Sequence, residues 1–468
     1  LFLFENAGSN DKVMCVPMDY AKNDHLVMFC NGHGDILRKP FSVKNTPEGL
    51  AYIEDQVIRS CTKRGIKKEH VFFGGEDANS FAKNFVSTLR SKGFLVANVN
   101  AHDAKKQRES VQASTDRIDL MGIAAMLLNC RGNCSPAQSG IYRNLRLLVR
   151  HRRKLVQMLT EVKNRVHGIV DELFPGFLKE QNTGIVAFTE SSLYLMEDRF
   201  SPKQICRRKR KKLIEILKRF GTSKAEQTAA KLQQYAAKVL HAPVEYVDTM
   251  QLSLSQHIKH IRCLKESIAQ MEKEIALNLA QTQGAFLTSV RGIGLILAAG
   301  VTAEIGDPNE QKPLNNLSSY AGIVPRVKQT GGIEGKTYTG PVARRCNRIL
   351  KDYVVQSAHH LGWHGPPDLM NDYKRRDASG QHANFGMGRR YLRMAMCLMR
   401  TSQIYLPSDL RKDDYALEEK ASYYLMNGPS LRAKWKKVDA LEEAFALNRP
   451  LGMWRQIVQD LYGITLKL

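Results

Sequence analysis

The chain has no apolar run approaching the roughly 20 residues that a transmembrane helix needs, so a membrane-spanning segment is not expected. Its opening Leu1-Phe2-Leu3-Phe4 is too short for a signal-peptide core and no cleavage site follows it, which points to a cytosol-like compartment. An initiating Met is also lacking, so the numbering need not begin where the gene does. The 9 cysteines are odd in number and scattered, and the closest pair, Cys130 and Cys134, has no second Cys or His pair at zinc-finger spacing. Reduced thiols are expected and a structural zinc is not. Acid is short as well. Only 46 Asp and Glu face 70 Lys and Arg, a formal net charge of +24. That surplus makes a polyanion the first partner to consider, because each phosphate neutralised releases counterions.

What is present is a folding chain. Hydrophobic residues make up 43% of 468, which excludes a disordered basic tail. The length predicts two to four domains. The first 130 residues alternate strand and helix signals, with strands over Val13–Met18 ending at Asp19, Leu26–Cys30, Asp35–Val43, Val71–Gly75 ending at Glu76, and Phe94–Val99. Thr46-Pro47 opens a helix as N-cap and first helical residue, and another covers about Asn79–Lys92. These elements predict an α/β domain with a mixed sheet.

From Gly122 onward the pattern is almost wholly helical. A helix over Tyr142–Leu173 stops at Pro175-Gly176, and Ser201-Pro202 opens another that contains Arg207, Arg208, Lys209, Arg210, Lys211 and Lys212. A third long helix covers about Thr249–Gln281, where Ile261, Leu264, Ile268, Met271 and Ile275 step at coiled-coil spacing. The spacing leaves open whether its partner lies within the chain or in another copy. Val290-Arg-Gly-Ile-Gly294 forms a close turn before a helix, a type that presents backbone amides to phosphate. A Gly/Thr-rich loop then runs to Gly340 and into basic helices. The expected divisions are 1–130, 131–248, 249–285, 286–405 and a helical extension over 406–468.

Four acids sit where a metal-dependent nuclease needs them. Asp19 and Glu76 end strands, and Asp116 and Asp119 fall three apart at a helix start, on one face. Converging carboxylates repel one another, and Mg²⁺ (with Mn²⁺ as an alternative) ordinarily holds them together. Two such ions about 4 Å apart stabilise the attacking and leaving oxygens of a phosphodiester. Asp19 is expected to bridge, with Glu76, Asp116 and Asp119 completing the two sites. Taken singly, each acid also fits a bland role: a loop acid, a turn residue, or a helix N-terminal charge favoured by the dipole.

At these residues the sequence resembles a known family. Met18-Asp19-Tyr-Ala-Lys22, Gly75-Glu76-Asp-Ala and Ser114-Thr-Asp116-Arg-Ile-Asp119 are similar to the D, E, D, D motifs of the DEDD (RuvC-like) transposases of bridge-RNA-guided insertion sequences. The likeness continues through Leu145–His167, Phe174-Pro-Gly176, the coiled-coil helix, Val290–Gly294 and Tyr320-Ala-Gly-Ile-Val-Pro-Arg326, over roughly residues 13 to 405. It implies an RNase H-like (RuvC-like) N-terminal domain, a coiled-coil oligomerisation helix, and a Nop-like C-terminal helical domain. It implies a guide RNA, target DNA, a homodimer or higher homo-oligomer, and Mg²⁺ at the four acids. The setting implied is the cytoplasm of a bacterium, phage or mobile element, with no membrane partner.

The family's recombinases carry a nucleophilic Ser after Pro-Arg and before a Gly, whereas Pro325-Arg-Val-Lys-Gln-Thr330-Gly331 places Thr330 there. A Thr hydroxyl is a nucleophile in principle, but β-branching crowds it. As a plain loop residue it would bond local backbone. Loss of the Ser with all four acids kept resembles the RuvC-bearing Tas nucleases of tandem-interspaced-guide-RNA systems. The preferred expectation is therefore a guide-RNA-dependent, Mg²⁺-dependent DNA endonuclease. The first alternative is an RNA-guided transposase using Thr330, and the second a non-catalytic RNA-binding scaffold. Arg207 to Lys212, together with Arg326, Lys328, Arg344 and Arg345, are the expected nucleic-acid contacts. His359, His360 and His364 lack the companion ligands of a metal site and are expected to pack or touch phosphate.

Overall fold

A computed structural model describes residues 2–76, 81–100, 115–132, 140–197, 200–310, 314–330, 336–342, 346–380, 382–401 and 405. The chain divides into two compact units, Leu1–Ala137 and Gln138–Leu468.

In the first unit a short α1 (Phe2–Ala7) precedes β1 (Met14–Asp19), β2 (Asp24–Asn31), β3 (Ile36–Lys44), α2 (Pro47–Arg64), β4 (Val71–Glu76), α3 (Lys83–Ser91), β5 (Leu95–Asn98) and α4 (Asp116–Leu128). The sheet order is β3-β2-β1-β4-β5. The first three strands pair antiparallel, and β1, β4 and β5 run parallel, so the sheet is mixed as expected. Local chemistry sets the boundaries. Thr46 Oγ1 accepts from the Gly49 amide at 3.2 Å, Pro47 occupies the first turn, and Gly65 closes α2 at φ 62°.

Alternation along the strands builds two cores. Met14, Val16 and Met18 join α2 and α3 residues such as Ile53, Val57 and Phe85 on one face. Val13, Cys15 and Phe72 join Leu120, Ile123 and Leu127 of α4 on the other. Cys15 and Cys30 are direct cross-strand partners, both buried and both free thiols. Burial raises the Cys15 thiol well above its ordinary range, and the neighbouring Cys30 adds to the shift.

The second unit is built on two long helices, α5 (Gly140–Leu173) and, after α6 (Glu180–Thr183), α7 (Glu190–Glu197), α8 (Pro202–Arg207), α9 (Arg210–Arg219) and α10 (Ala225–Ala236), the helix α11 (Val244–Ala280). Then follow α12 (Leu295–Ile305), α13 (Leu314–Tyr320), the hairpin β6 (Pro325–Thr330) and β7 (Lys336–Val342), α14 (Arg348–His364), α15 (Pro367–Ala378) and α16 (Ala383–Thr401). Helices α5 and α11 pack side by side and antiparallel, as the Arg152 Nε to Glu272 Oε1 bond of 2.9 Å marks. Each helix serves two cores. Leu145 and Val149 meet Ile275, Leu279 and the α12–α16 helices, whereas Val166 and Val170 meet Leu254, Ile258 and the α7–α10 helices. No described helix is long and apolar enough to cross a membrane.

Within the chain, α5 packs along the α11 seam, one of the two kinds of partner the spacing left open. Two expectations are corrected. The basic run lies on no single helix: α8 ends at Arg207, Arg208 and Lys209 are extended with ψ 132° and 130°, and α9 begins at Arg210. Crowding like charges within one turn disfavours a continuous helix. The segment after Pro325 is a β-hairpin rather than a loop, in keeping with the β-branched and aromatic Val327, Thr337, Tyr338 and Thr339. The expected helical extension over 406–468 lies outside the described residues.

Candidate active site

Asp19 and Glu76 are the last residues of β1 and β4, and they pair at the same register position across the parallel ladder. Both are half-buried. Strand alternation puts Asp19 on the face of Val13 and Cys15, and Glu76 on the face of Phe72 and Gly74. That is the face covered by α4.

Two glycines permit this arrangement. A Cβ on Gly74 would stand 2.3 Å from the Leu127 side chain of α4, so the helix rests directly on bare strand backbone. A Cβ on Gly75 would stand 2.1 Å from the Met18 carbonyl oxygen and 2.6 Å from the Tyr20 ring. The close strand-to-strand and ring-to-strand contact next to the two acids thus requires glycine.

Asp116 and Asp119 lie in the first turn of α4, where Thr115 Oγ1 caps the Ile118 amide at 3.4 Å. Acids there interact favourably with the helix dipole. Asp116 is exposed and Asp119 half-buried. Their helix packs on the sheet face that carries Asp19 and Glu76. Among the described residues, no group of three or more His, Cys, Asp or Glu is gathered so as to hold a metal. The structure therefore draws together the Asp19–Glu76 pair and sets the helix acids on the element packed against its face. A donor set made only of carboxylates suits a hard divalent cation, and Mg²⁺ is ordinarily held by one or two carboxylates with water and substrate phosphate. The pair fits that chemistry.

His25 escaped the sequence reading. It is fully buried on β2, its Nδ1 accepts from the Ala21 amide at 3.2 Å, and its ring meets Tyr20 and Phe85 edge-on at 5.5 and 4.8 Å. It fixes the backbone two residues after Asp19. A lone His inside the apolar strand Asp24–Asn31 was the available signal.

In the second unit, Arg326, Lys328 and Thr330 all fall on β6, with Thr330 opposite Lys336 and Lys328 opposite Tyr338. Arg344 and Arg345 lie outside the described residues. At the basic run, Arg207 and Lys209 to Lys212 are exposed and Arg208 is half-buried. Gln233 spans the helix break, donating to the Arg208 carbonyl at 2.8 Å and accepting from Arg210 Nε at 3.3 Å. His359, His360 and His364 are exposed near the end of α14, where His359 lies 6.1 Å from the Trp363 ring.

A buried acid organises the hairpin's base. Glu304 of α12 is 2% exposed and accepts from Arg150 at 2.8 and 2.9 Å, Arg146 at 2.9 Å and Asn347 at 2.7 Å. Burial alone would raise its carboxyl, but the Arg150 and Arg146 guanidiniums and the Asn347 amide outweigh it and hold the pKa below the usual range. Asn347 also donates to the Tyr320 hydroxyl at 2.8 Å and caps α14 through the Ile349 and Leu350 amides. The elements that enter and leave the hairpin are thereby tied together. Sequence reasoning missed Glu304, although a single acid in the apolar stretch Leu295–Ile305 marked it.

Comparison with known proteins places these features. Residues 16–175 match a DEDD transposase family of IS110 elements, and residues 284–374 match the transposase IS116/IS110/IS902 family. The chain is 24% identical over 269 residues to an insertion element IS110 uncharacterized 43.6 kDa protein of Streptomyces coelicolor, covering 56% of this chain and 64% of that protein. It is 24% identical over 268 residues to the corresponding IS116 protein, of 44.8 kDa, of Streptomyces clavuligerus, covering 56% and 65%. A transposase for insertion sequence element IS1328 of Yersinia enterocolitica is 30% identical over 101 residues, which is 21% of this chain and 29% of the relative. The matches to the two Streptomyces proteins thus cover less than two thirds of those relatives' length.

Proposed function

This chain belongs to the IS110/IS116 transposase family, and from that premise we propose that it cleaves and rejoins DNA for an insertion sequence, with Asp19 and Glu76 at the centre of its cleavage site. The observation that carries the reading is the in-register carboxylate pair on the sheet face under α4, within the segment matched to DEDD transposases. Asp19 and Glu76 would hold a divalent cation, with Asp116 and Asp119 supplied from α4. Such an ion polarises the phosphodiester and stabilises charge on its oxygens when bound. The acids' task is to fix position, and the glycine-lined contact of β1 with β4 keeps them in register.

In the transposase reading Thr330 supplies the nucleophile. Its oxygen bonds to phosphorus, the phosphorus bond to one deoxyribose oxygen breaks, and the departing oxygen takes up a proton. A guide RNA that pairs with the DNA, the Nop-like character of residues 286–405, and assembly with further copies belong to the same proposal. Its support is the resemblance of the ordered motifs, together with the basic charge of the chain. One observation favours a second reading: the nucleophile position holds Thr and not Ser. Water would then attack, and the protein would act as a guide-RNA-dependent endonuclease without a covalent intermediate.

The test is cleavage of labelled target DNA with Mg²⁺ or Mn²⁺ by protein carrying its co-purified RNA, resolved before and after protease. A protein–DNA adduct that Thr330→Ala removes is expected of the transposase. Cleavage without adduct, surviving Thr330→Ala, moves the conclusion to the endonuclease. Cleavage that survives Asp19→Ala sinks both, and a wild-type chain without metal-stimulated cleavage leaves an RNA-binding scaffold.

A further inference from the structure

Between the two family-matched segments, the α6–α10 region holds an open cavity of about 720 Å³, within the range of small-molecule sites. Its lining is polar and basic. Lys224 and Lys231 face a single acid, Glu180, and the hydroxyls of Thr222 and Ser223 contribute further donors. Both lysines are exposed. The neighbouring acid Glu226 is already engaged, 3.3 Å from Lys218 Nζ. An anion with many acceptor oxygens is the ligand that such a surface satisfies.

One wall is aromatic. Phe220 lines the cavity, its ring 5.3 Å from that of Tyr194, and the Arg219 guanidinium lies 5.6 Å from the Phe220 centroid. The Phe220 ring, backed by Tyr194 and Arg219, stands beside ammonium groups and hydroxyls, a combination that matches a planar base joined to a phosphate. The approach to the cavity matches too. Phe220 is the C-cap of α9, whose first turn carries Arg210, Lys211 and Lys212 and whose last carries Lys218 and Arg219. Between Lys203 and Arg219 nine basic residues face one acid, Glu215.

We propose that this cavity binds a nucleoside phosphate, with Lys224 and Lys231 on the phosphate and Phe220 against the base. The shared chemistry has two sources, a free mononucleotide or one nucleotide of a strand that runs along α9. In the strand case the basic segment tracks the backbone and the cavity receives an unstacked base. The site lies wholly within the second unit, and its proposal is independent of the cleavage reading.

The test uses the full chain as Asp19→Ala without divalent metal, so that a failed cleavage reading leaves the measurement intact. Adenosine monophosphate, inorganic phosphate and a fluorescent ten-nucleotide single strand, as RNA and as DNA, are titrated separately. Lys224→Glu combined with Lys231→Glu, both on the surface, should weaken adenosine monophosphate or strand binding at least ten-fold while the thermal melt is retained. Lys209→Glu with Lys211→Glu should weaken only the strand, which identifies a strand nucleotide as occupant. If that second pair weakens neither the strand nor adenosine monophosphate, the free nucleotide is the occupant. The proposal is overturned if the Lys224/Lys231 variant binds every probe like its parent, or if inorganic phosphate binds as tightly as adenosine monophosphate.

Discussion

Asp19 and Glu76 stand opposite each other at the final rung of a parallel ladder, so the end of the β1–β4 pair is also the point where two carboxyl side chains leave the sheet side by side. Removing either one separates chemistry from folding, because both side chains are only half-buried. Asp19→Asn and Glu76→Gln should each lower metal-dependent DNA cleavage by more than the about 10–100-fold typical of outer-shell changes. Circular dichroism and melting should be unchanged. A variant that loses its fold along with its activity would assign the pair a structural role.

Gly75→Ala tests the packing that keeps the acids in register. The added Cβ meets a backbone oxygen, which cannot swing aside as a side chain can. A loss of about 1–3 kcal/mol is expected, as for other overpacked cores. The first unit should then melt a few degrees lower. A melt identical to wild type would show that β1 and β4 can separate there at little cost.

Glu304→Gln keeps the shape of the buried side chain and removes its charge, leaving Arg146 and Arg150 with no carboxylate at that point. Removing one partner of a buried pair costs about 3–5 kcal/mol. Here Arg146 and Arg150 are 27% and 41% exposed and keep part of their solvation, so the lower end or less is expected. Chemical denaturation of the second unit measures it. No loss of stability would mean that Asn347 and Tyr320 alone hold the hairpin's base.

Asp372 of α15 gives a pH dependence. Burial works to raise its carboxyl, but hydrogen bonds from Arg390 and Arg375 and the Arg376 guanidinium beside it overcome that and lower the pKa to about 2. A carboxyl depressed on folding contributes stability in full above its unfolded pKa of about 3.9, and loses it as pH falls through the folded value. Wild type should therefore exceed Asp372→Asn in stability at pH 7 and 5, with the gap closing between about pH 4 and 2. A gap that stays constant down to pH 2 would rule out this ionic origin.

The sheet, the strand ends and the Thr46 cap could be read from the sequence because they depend on local rules: alternation of period two, a hydroxyl before a helix, a Pro at its first turn. That Asp19 and Glu76 both end strands was readable for the same reason, whereas the parallel, in-register pairing of those strands came from the fold. What escaped depends on contacts far apart in sequence. The α11 seam fits any apolar helix, and only the fold selects α5. Glu304 draws its partners from positions 146, 150 and 347, and no window of sequence contains that set. The break at Arg208–Lys209 was missed because basic residues have good intrinsic helix propensity, while their crowding acts only collectively.

The antiparallel pairing of α5 with α11 makes the second unit a caliper. The 34 residues of α5 give an arm about 50 Å long, and α11 returns the chain along it. Taking seven residues from each helix would shorten the reach by about 10 Å and leave the heptad phase intact. The spacing between the α12–α16 core and the α7–α10 core is thus an adjustable dimension.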